Sequence, residues 1–264
     1  MSEQSDAVGA LIEGAVERGV RGKEVAVAFS GGLDSGLVAA LAGRHSAKAT
    51  LYTVGSEDSY DVRMARNMLP HLGLEWNHIP LDEEIVESSI REMIQITGTV
   101  NALTVSFELP GFCVCRACRE DIVIGGQGSD EIFLGYSKYV GLDDDSLRTA
   151  SADDLAKLRG PVMVHETKTA DNFGKTVLYP FLDDALLSYL QSLDIGMLRP
   201  INEGSRKNLL REAAASLGFG FVTDCRKKAA QYGSGTMDIV RRICKDRHMT
   251  FSELVETIAS EEAV

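Results

Sequence analysis

The chain has 264 residues, of which 44% are hydrophobic and 25% are charged, a composition typical of a globular protein that can bury a large core. Its formal net charge of -12 argues against a general nucleic-acid binder, because neutralising phosphate groups requires a basic surface. No apolar run approaches the ~18 residues of a membrane helix, the N-terminus lacks a signal-peptide pattern, and five cysteines do not suggest a secreted disulfide framework. We therefore expect a cytoplasmic protein with reduced cysteines and no contact with membranes.

In chain order, the first predicted element is an amphipathic helix in residues 1–20, where apolar residues recur at helical spacing. The apolar run at residues 25–29 ends in Ser-Gly-Gly, which is typical of a buried parallel strand before a tight turn. Further strands are predicted at residues 49–54, 75–79 and 121–124, and helices around residues 37–41, 65–72 and 86–94. Pro110 and Gly111 predict a break before a short cysteine-bearing segment.

This alternation of strands and helices predicts an α/β fold with a doubly wound parallel sheet. Such sheets bind their ligands at the carboxyl ends of the strands. Beyond a polar stretch at residues 141–146, the apolar pattern is mostly helical, with stripes at residues 186–190, 209–217 and 239–243. We therefore predict an α/β domain at residues 1–140 and a helical domain at residues 141–264 that completes the site.

The clearest chemical motif lies between the first predicted strand and the next helix and reads Ser30-Gly31-Gly32-Leu33-Asp34-Ser35. Its glycines permit a tight turn whose backbone amides face an anion, and the helix that follows adds its positive end. The hydroxyls of Ser30 and Ser35 can donate to phosphate oxygens, and Asp34 can hold a magnesium ion. The motif lacks the Lys-Ser/Thr ending of a Walker-type loop.

These six residues resemble the pyrophosphate loop (PP-loop) shared by ATP pyrophosphatases such as asparagine synthetase, GMP synthetase and the tRNA-thiolating enzymes. A second run is similar to the Gly-Glu-Gly-Ala-Asp-Glu-Leu-Phe-Gly-Gly-Tyr signature of the synthetase domain of asparagine synthetase. That run is Gly126-Gln127-Gly128-Ser129-Asp130-Glu131-Ile132-Phe133-Leu134-Gly135-Tyr136. Three shorter segments follow in the same family's order: Pro180-Phe181-Leu182-Asp183, Lys207-Asn208-Leu209-Leu210-Arg211 and Arg226-Lys227-Lys228. The resemblance runs from about residue 24 to residue 235.

The resemblance implies an adenine nucleotide α-hydrolase-like fold and an AMP-forming ligase that uses ATP and Mg²⁺. Such an enzyme adenylates a small-molecule carboxylate and transfers the acyl group to ammonia or an amine, releasing AMP and pyrophosphate. The implied ATP-binding residues are Ser30, Gly31, Gly32, Asp34, Ser35, Val54 and Gly126. Asp34 and Asp130 would hold the magnesium ion, and Lys228 would stabilise the charge that develops on pyrophosphate. Gln127, Glu131 and Asp183 would lie on the side of the second substrate.

Three departures from the family pattern concern the acceptor rather than ATP. Ser2 follows the initiator methionine where the family's glutaminase domain has its nucleophilic cysteine, so we expect ammonia to come from solution or from a separate glutaminase subunit. Gln127 replaces a glutamate of the signature and cannot act as a base. Residues 176–179 replace the Glu-x-Arg that precedes Pro-Phe-Leu-Asp, which removes two charges from the acceptor side.

Cys113, Cys115 and Cys118 form a C-x-C-x-x-C cluster that carries an alternative hypothesis. Three thiolates could ligate zinc or belong to an iron–sulfur cluster, and sulfur-inserting pyrophosphatases act on tRNA with the help of cysteines. Against this, free cysteines often pack as small apolar residues. ATP-dependent sulfur transfer therefore stays open as an alternative, as does a non-catalytic nucleotide-binding subunit that serves a partner.

Overall fold

The computed structural model describes residues 2–224 and 230–262. Its five strands are β1 (Glu24–Ala28), β2 (Lys48–Gly55), β3 (Glu75–Pro80), β4 (Ile122–Ile124) and β5 (Thr176–Leu178). The helices before β4 are α1 (Glu3–Val20), α2 (Leu33–His45), α3 (Tyr60–Leu72), α4 (Glu83–Thr97) and α5 (Ala102–Ala117). Those after β4 are α6 (Ser129–Ile132), α7 (Asp144–Lys157), α8 (Met163–Asn172), α9 (Asp184–Ser192), α10 (Asn208–Ser216), α11 (Ala230–Gly233), α12 (Thr236–Asp246) and α13 (Phe251–Glu262).

The strands form one parallel sheet in the order β3-β2-β1-β4-β5. β1 lies in the centre, where Val25 is in register with Ala49 of β2 on one side and with Ile122 of β4 on the other. The chain therefore winds outward from β1 first in one direction and then in the other, and the predicted doubly wound α/β fold is confirmed. In this topology the switch point lies between β1 and β4.

Alternating side chains of the strands supply two hydrophobic cores, one on each face of the sheet. Val25, Val27 and Ile124 belong to a core shared with α1, α2, α9 and α10. Ala26 and Val123 belong to a second core shared with α4, α5, α12 and α13. Because both faces of the central strands are covered, their sequences are continuously apolar rather than alternating.

The predicted break at Pro110 and Gly111 is wrong, because α5 continues through both residues. Proline lacks the N–H that would bond one turn back, which normally weakens a helix. Here Val105, Leu109 and Phe112 lie on one side of α5 and are buried in the second core. We infer that this burial holds α5 together across the missing hydrogen bond.

The second part of the chain is mainly helical, as predicted, but it also supplies a strand. β5 pairs with β4 in parallel, and α10 packs against α1 near the N-terminus. The division into residues 1–140 and 141–264 stays a prediction, and the sheet draws on both parts. None of the helices formed by the described residues is both long and apolar enough to cross a bilayer.

Candidate active site

Two glycine-rich loops lie side by side at the switch point of the sheet. The first follows β1 and leads into α2, and the second, residues 125–128, follows β4 and leads into α6. The loops approach so closely that a Cβ atom added at Gly126 would lie 2.8 Å from the Cβ of Asp34. Both loops line a cleft of about 1370 Å³. The fold thus places the two sequence motifs on one wall of one cleft.

The first loop has the geometry of an anion-binding turn. Gly31 has a φ of 71°, and a side chain there would clash with the backbone of Met64 and Ala65 in α3, so only glycine fits. The hydroxyl oxygens of Ser30 and Ser35 lie 3.1 Å apart, and the backbone N–H of Ser30 donates to the Ser35 hydroxyl over 3.2 Å. The positive end of α2 faces the same space.

The ATP-binding residues implied by the sequence converge on this cleft. Those that line it are Ser30, Gly32, Asp34, Ser35, Val54 and Gly126. Gly31 shapes the loop from behind, where it packs against α3. Val54 is buried near the end of β2, the strand that neighbours β1. The fold thus brings the predicted ATP-binding residues to one cleft, and their assignment to ATP stays a prediction.

The side chain of Lys207 lies between the two aspartates that were assigned to magnesium. Its Nζ donates to Asp34 Oδ1 over 2.8 Å and Oδ2 over 2.7 Å, and to the Ser129 hydroxyl over 2.6 Å. The same nitrogen lies 2.8 Å from Asp130 Oδ1. Only 4% of Lys207 is exposed, and this burial lowers the pKa of its ammonium group, while the charge of Asp34 opposes the shift.

Asp34 and Asp130 therefore form a convergent carboxylate pair that already surrounds one cation. Magnesium in phosphate-transfer sites is commonly held by one or two carboxylates together with substrate phosphates. The pair fits that role. Within residues 2–224 and 230–262 no cluster of three His, Cys, Asp or Glu side chains could hold a metal ion, so phosphate oxygens and water molecules would complete the coordination of magnesium.

The cleft also carries a second polar group, which we call the carboxylate wall and which adjoins the second loop: Glu108, Glu166, Tyr179 and Gln127. The hydroxyl of Tyr179 donates to Glu166 Oε2 over 2.6 Å, and the Gln127 amide donates to Glu166 Oε1 over 3.1 Å. Glu108 is buried and lies 3.2 Å from His165 Nδ1. Gln127 of the second loop therefore contacts a carboxylate that comes from α8.

Both glutamates of the carboxylate wall hold protons more tightly than usual. Burial, followed by repulsion from Glu166, raises the pKa of Glu108 to about 8. Burial raises the pKa of Glu166 to about 7, although the Tyr179 hydrogen bond works against the shift. Burial also lowers the pKa of His165, so this ring is neutral beside Glu108 at neutral pH. Groups with such pKa values can exchange protons near pH 7.

The two remaining acceptor-side predictions fall in different places. Glu131 lines the cleft, is buried and accepts a hydrogen bond of 2.6 Å from the Tyr136 hydroxyl, and burial raises its pKa. Asp183 is not among the described residues that line the cleft. It caps α9 by accepting the N–H of Ala185 over 3.1 Å and pairs with Arg18.

The cysteine cluster is buried and its thiols are hard to ionise. Cys113 lies inside the second core, 3.7 Å from the Ser89 hydroxyl, and Cys118 donates weakly to the backbone oxygen of Cys115. Burial raises the pKa of Cys115 to about 12 and also raises the pKa values of Cys113 and Cys118. Of the three, Cys115 alone lines the cleft. The described residues thus give no support to a zinc or iron–sulfur site.

Lys228, the predicted catalytic lysine, lies outside the described residues, together with the other members of residues 225–229. The residues that flank this segment, Thr223 and Asp224 before it and Ala230 after it, line the cleft. The assignment of Lys228 therefore stays a prediction.

Sequence reasoning missed four side chains that the structure brings to the cleft. Lys207 had a signal, because it begins the second of the three shorter family-like segments, but its pairing with both aspartates was not predicted. Glu108, Glu166 and Tyr179 had no recognisable spacing, since they come from α5, α8 and the segment after β5. The sequence predicted an acceptor side that had lost charge, whereas the structure supplies two carboxyl groups there from other elements.

Comparisons with known proteins agree with the geometry of the phosphate loops. The sequence model of the family described as asparagine synthase matches residues 7–149. A Methanocaldococcus jannaschii protein named as a glutamine-hydrolyzing asparagine synthetase is 25% identical over 89% of this chain and 50% of its own length. The human asparagine synthetase (glutamine-hydrolyzing) is 28% identical over 72% of this chain and 36% of its own length.

This chain thus spans about half the length, or less, of these curated relatives. Among solved structures, the NH3-dependent NAD synthetase from Campylobacter jejuni, in complex with the nitrate ion, is 17% identical. The match covers 72% of this chain and 92% of that one, with a TM-score of 0.33. Because the family match covers more than half of the chain and includes both glycine-rich loops, the chain belongs to the asparagine synthase family.

Proposed function

We propose that this protein is an ATP-dependent synthetase that adenylates a carboxylate and transfers the acyl group to ammonia or an amine. AMP and pyrophosphate are the other products. The observation that carries this proposal is the convergence of Asp34 and Asp130 on one cation beside the Ser30 loop. Cleavage between the α and β phosphates requires the β and γ phosphates of ATP to be bound firmly, and this arrangement can bind them together with a metal ion.

In the proposed mechanism, the first loop holds the β and γ phosphates. The backbone amides around Gly32, the hydroxyls of Ser30 and Ser35, and the start of α2 all direct positive partial charge at this position. Asp34 and Asp130 would hold Mg²⁺, which neutralises charge on the phosphates when it is bound. Lys207 stabilises the same pair of carboxylates from the protein side.

The adenylation step forms a bond between a carboxylate oxygen of the substrate and the α-phosphorus of ATP. The bond from the α-phosphorus to the bridging oxygen breaks, and pyrophosphate leaves with the electron pair. Fixed positive charges near the departing oxygens lower the energy of this transition state. By family resemblance, Lys228 supplies one such charge.

The identity of the carboxylate is open in this proposal, and asparagine formation is one case of it. Ammonium in solution or a separate glutaminase protein supplies the nitrogen when the acceptor is ammonia. The buried thiols with raised pKa values weigh against the sulfur-transfer alternative, because only a thiolate is a good nucleophile. A non-catalytic nucleotide-binding role needs neither the paired aspartates nor the carboxylate wall.

ATP–pyrophosphate exchange tests the proposal. The chain, MgATP and labelled pyrophosphate are incubated with a panel of carboxylic acids, amino acids and tRNA, and label entering ATP is counted. We expect exchange that depends on a carboxylic acid and disappears in Asp34→Asn, with Asp183→Asn as a control that removes a carboxylate away from the cleft. Exchange that depends on tRNA, or label entering ATP equally in Asp34→Asn, would contradict the proposal.

A further inference from the structure

The carboxylate wall differs in charge from the loop at Ser30: the loop presents groups that bind anions, whereas the wall presents carboxyl groups. Glu108 and Glu166 both line the cleft, and the charge of Glu166 helps to raise the pKa of Glu108. Tyr179 faces both and donates to Glu166. A wall of this kind repels anions and attracts cations.

Among the described residues, no cationic side chain is paired with the carboxylate wall. No lysine or arginine side chain of residues 2–224 and 230–262 pairs with Glu108 or Glu166. The nearest titratable neighbours are His165, Cys115 and Tyr179, which burial keeps neutral near pH 7, and Lys168, whose Nζ donates to the backbone oxygen of Thr97. Within the part of the chain that the structure describes, the carboxylate wall therefore has no counter-ion.

The cleft-lining lysines and arginines of the described residues have partners other than the carboxylate wall, and one of them, Arg211, donates to the backbone oxygen of Thr223. Lys138 and Lys157 pair with Asp154, Arg206 pairs with Glu203, and Lys207 lies between the two aspartates. A substrate that extended a second carboxylate toward the carboxylate wall would meet only negative or neutral groups. A substrate that extended an amine would complete the missing ion pair.

We propose that Glu166 and Glu108 bind the nucleophile as a cation, either ammonium or a primary alkylammonium. The two glutamates then accept its protons during amide formation. This inference rests on the proposed function. Each oxygen of Glu166 accepts one hydrogen bond, from Gln127 or from Tyr179, and keeps lone-pair capacity for another donor. Glu166 thereby supplies the base that the signature position, occupied here by Gln127, cannot supply.

The acyl-transfer step balances with two carboxylates. A proton passes from the ammonium nitrogen to Glu166, and the freed lone pair forms the C–N bond at the acyl carbon. The bond between that carbon and the adenylate oxygen breaks, and AMP leaves with the electron pair. The second proton of the new amide nitrogen passes to Glu108. Without a bound cation, a pKa of about 8 keeps Glu108 protonated at pH 7. The positive charge of the bound ammonium ion favours the ionised form of both glutamates, so both can accept a proton when the acyl transfer begins.

Two measurements test this assignment separately from the proposed function. Calorimetric titration with methylammonium chloride needs no substrate, and we expect binding to wild type at least ~10-fold tighter than to Glu166→Gln, with sodium acetate giving no binding. Glu92→Gln, a glutamate of α4 paired with Arg116 outside the cleft, is the matched control and should bind like wild type.

The second measurement separates the two half-reactions. Glu166→Gln should keep ATP–pyrophosphate exchange within ~3-fold of wild type while its amide formation falls roughly 10²–10⁴-fold, as loss of a general base predicts. Equal methylammonium binding by wild type and Glu166→Gln, or undiminished amide formation by the variant, would overturn the assignment. If wild type shows no exchange with any carboxylate but binds methylammonium through Glu166, the proposed function fails and the cation site stands.

Discussion

At the scale of single residues, Lys207 connects the two glycine-rich loops through its ammonium group. It adopts a left-handed backbone conformation with a φ of 58°, which is unusual for a residue other than glycine. In return its ammonium group reaches two loops that are far apart in sequence. Lys207 thereby joins the carboxylates of Asp34 and Asp130 through one ammonium group.

We therefore expect Lys207→Met to be destabilised by at least ~2 kcal/mol in the absence of metal, because two partly exposed carboxylates lose the ammonium group that pairs with both of them. Thermal unfolding with and without magnesium measures this. Magnesium should raise the melting temperature of the variant more than that of wild type. Lys157→Met, which removes an exposed lysine near Asp154, should change stability by less than ~1 kcal/mol. An Lys207→Met protein as stable as that control would refute the bridging role.

The carboxyl group of Glu108 predicts a pH dependence of stability. Its pKa in the fold, about 8, lies above the ordinary value of 4.5, so the folded protein binds more protons than the unfolded chain between these values. The stability that Glu108 contributes is complete below about pH 4.5 and is lost as the pH rises toward 8.

Melting temperatures of wild type and Glu108→Gln between pH 5 and pH 9 test this sign. As the pH rises from 5 to 9, we expect the melting temperature of Glu108→Gln to increase relative to that of wild type by ~3 °C or more. This is roughly the effect of 1 kcal/mol in a domain of this size. Glu92→Gln controls for the loss of one carboxylate elsewhere. Wild-type and Glu108→Gln curves that run parallel would show that Glu108 ionises as it does in water.

At the scale of elements, the turn between β1 and α2 depends on a single glycine. Gly31→Ala places a Cβ against the backbone of α3 and forces alanine to a positive φ, so we expect a loss of at least ~2 kcal/mol and of ATP binding. Gly14→Ala is the matched control, since Gly14 lies within α1 and an added Cβ there meets only the flexible end of Arg18.

Urea unfolding measures both variants of this pair. Gly14→Ala should be neutral or stabilised by up to ~1 kcal/mol, because alanine is the better helix former. If Gly31→Ala were as stable as Gly14→Ala and still bound ATP, the tight turn would not be what positions the phosphates.

Elements were predictable from the sequence where a pattern repeats. Apolar runs followed by glycines marked β1 and β4, and helical spacing marked α1 and α3. α5 was interrupted in the prediction because proline is a strong local signal, yet burial of its apolar face outweighs one lost hydrogen bond. β5 is only three residues long and shows no pattern, so its place in the sheet follows from packing alone.

The candidate site divides in the same way. The phosphate half was predictable because its residues are consecutive in two loops, and the structure brings them together in one cleft. The carboxylate wall was not, since Glu108 and Glu166 come from separate helices and meet only after α5 and α8 pack together. No local spacing records such a contact.

At the scale of the whole molecule, the sheet and both of its cores draw on both halves of the chain. α10 packs on α1, and β5 pairs with β4. We therefore expect the two halves of the chain to unfold in one cooperative transition rather than as two domains. Trp76 is the chain's single tryptophan and lies in β3, within the first half. Its fluorescence therefore reports on that half, while far-ultraviolet circular dichroism reports on helices throughout.

The two signals should give coincident urea transitions. A fluorescence transition that is complete before most helical signal is lost would show that residues 1–140 unfold on their own, as two separate domains would.

The central claim is that ATP is cleaved between its α and β phosphates at the Asp34–Asp130 pair. Phosphorus NMR of MgATP turned over with ammonium chloride and a carboxylic acid that supports exchange identifies the products directly. We predict AMP and pyrophosphate in equal amounts from wild type and neither product from Asp130→Asn, which should remain folded by circular dichroism. ADP and inorganic phosphate from wild type, or undiminished AMP formation by Asp130→Asn, would contradict the account.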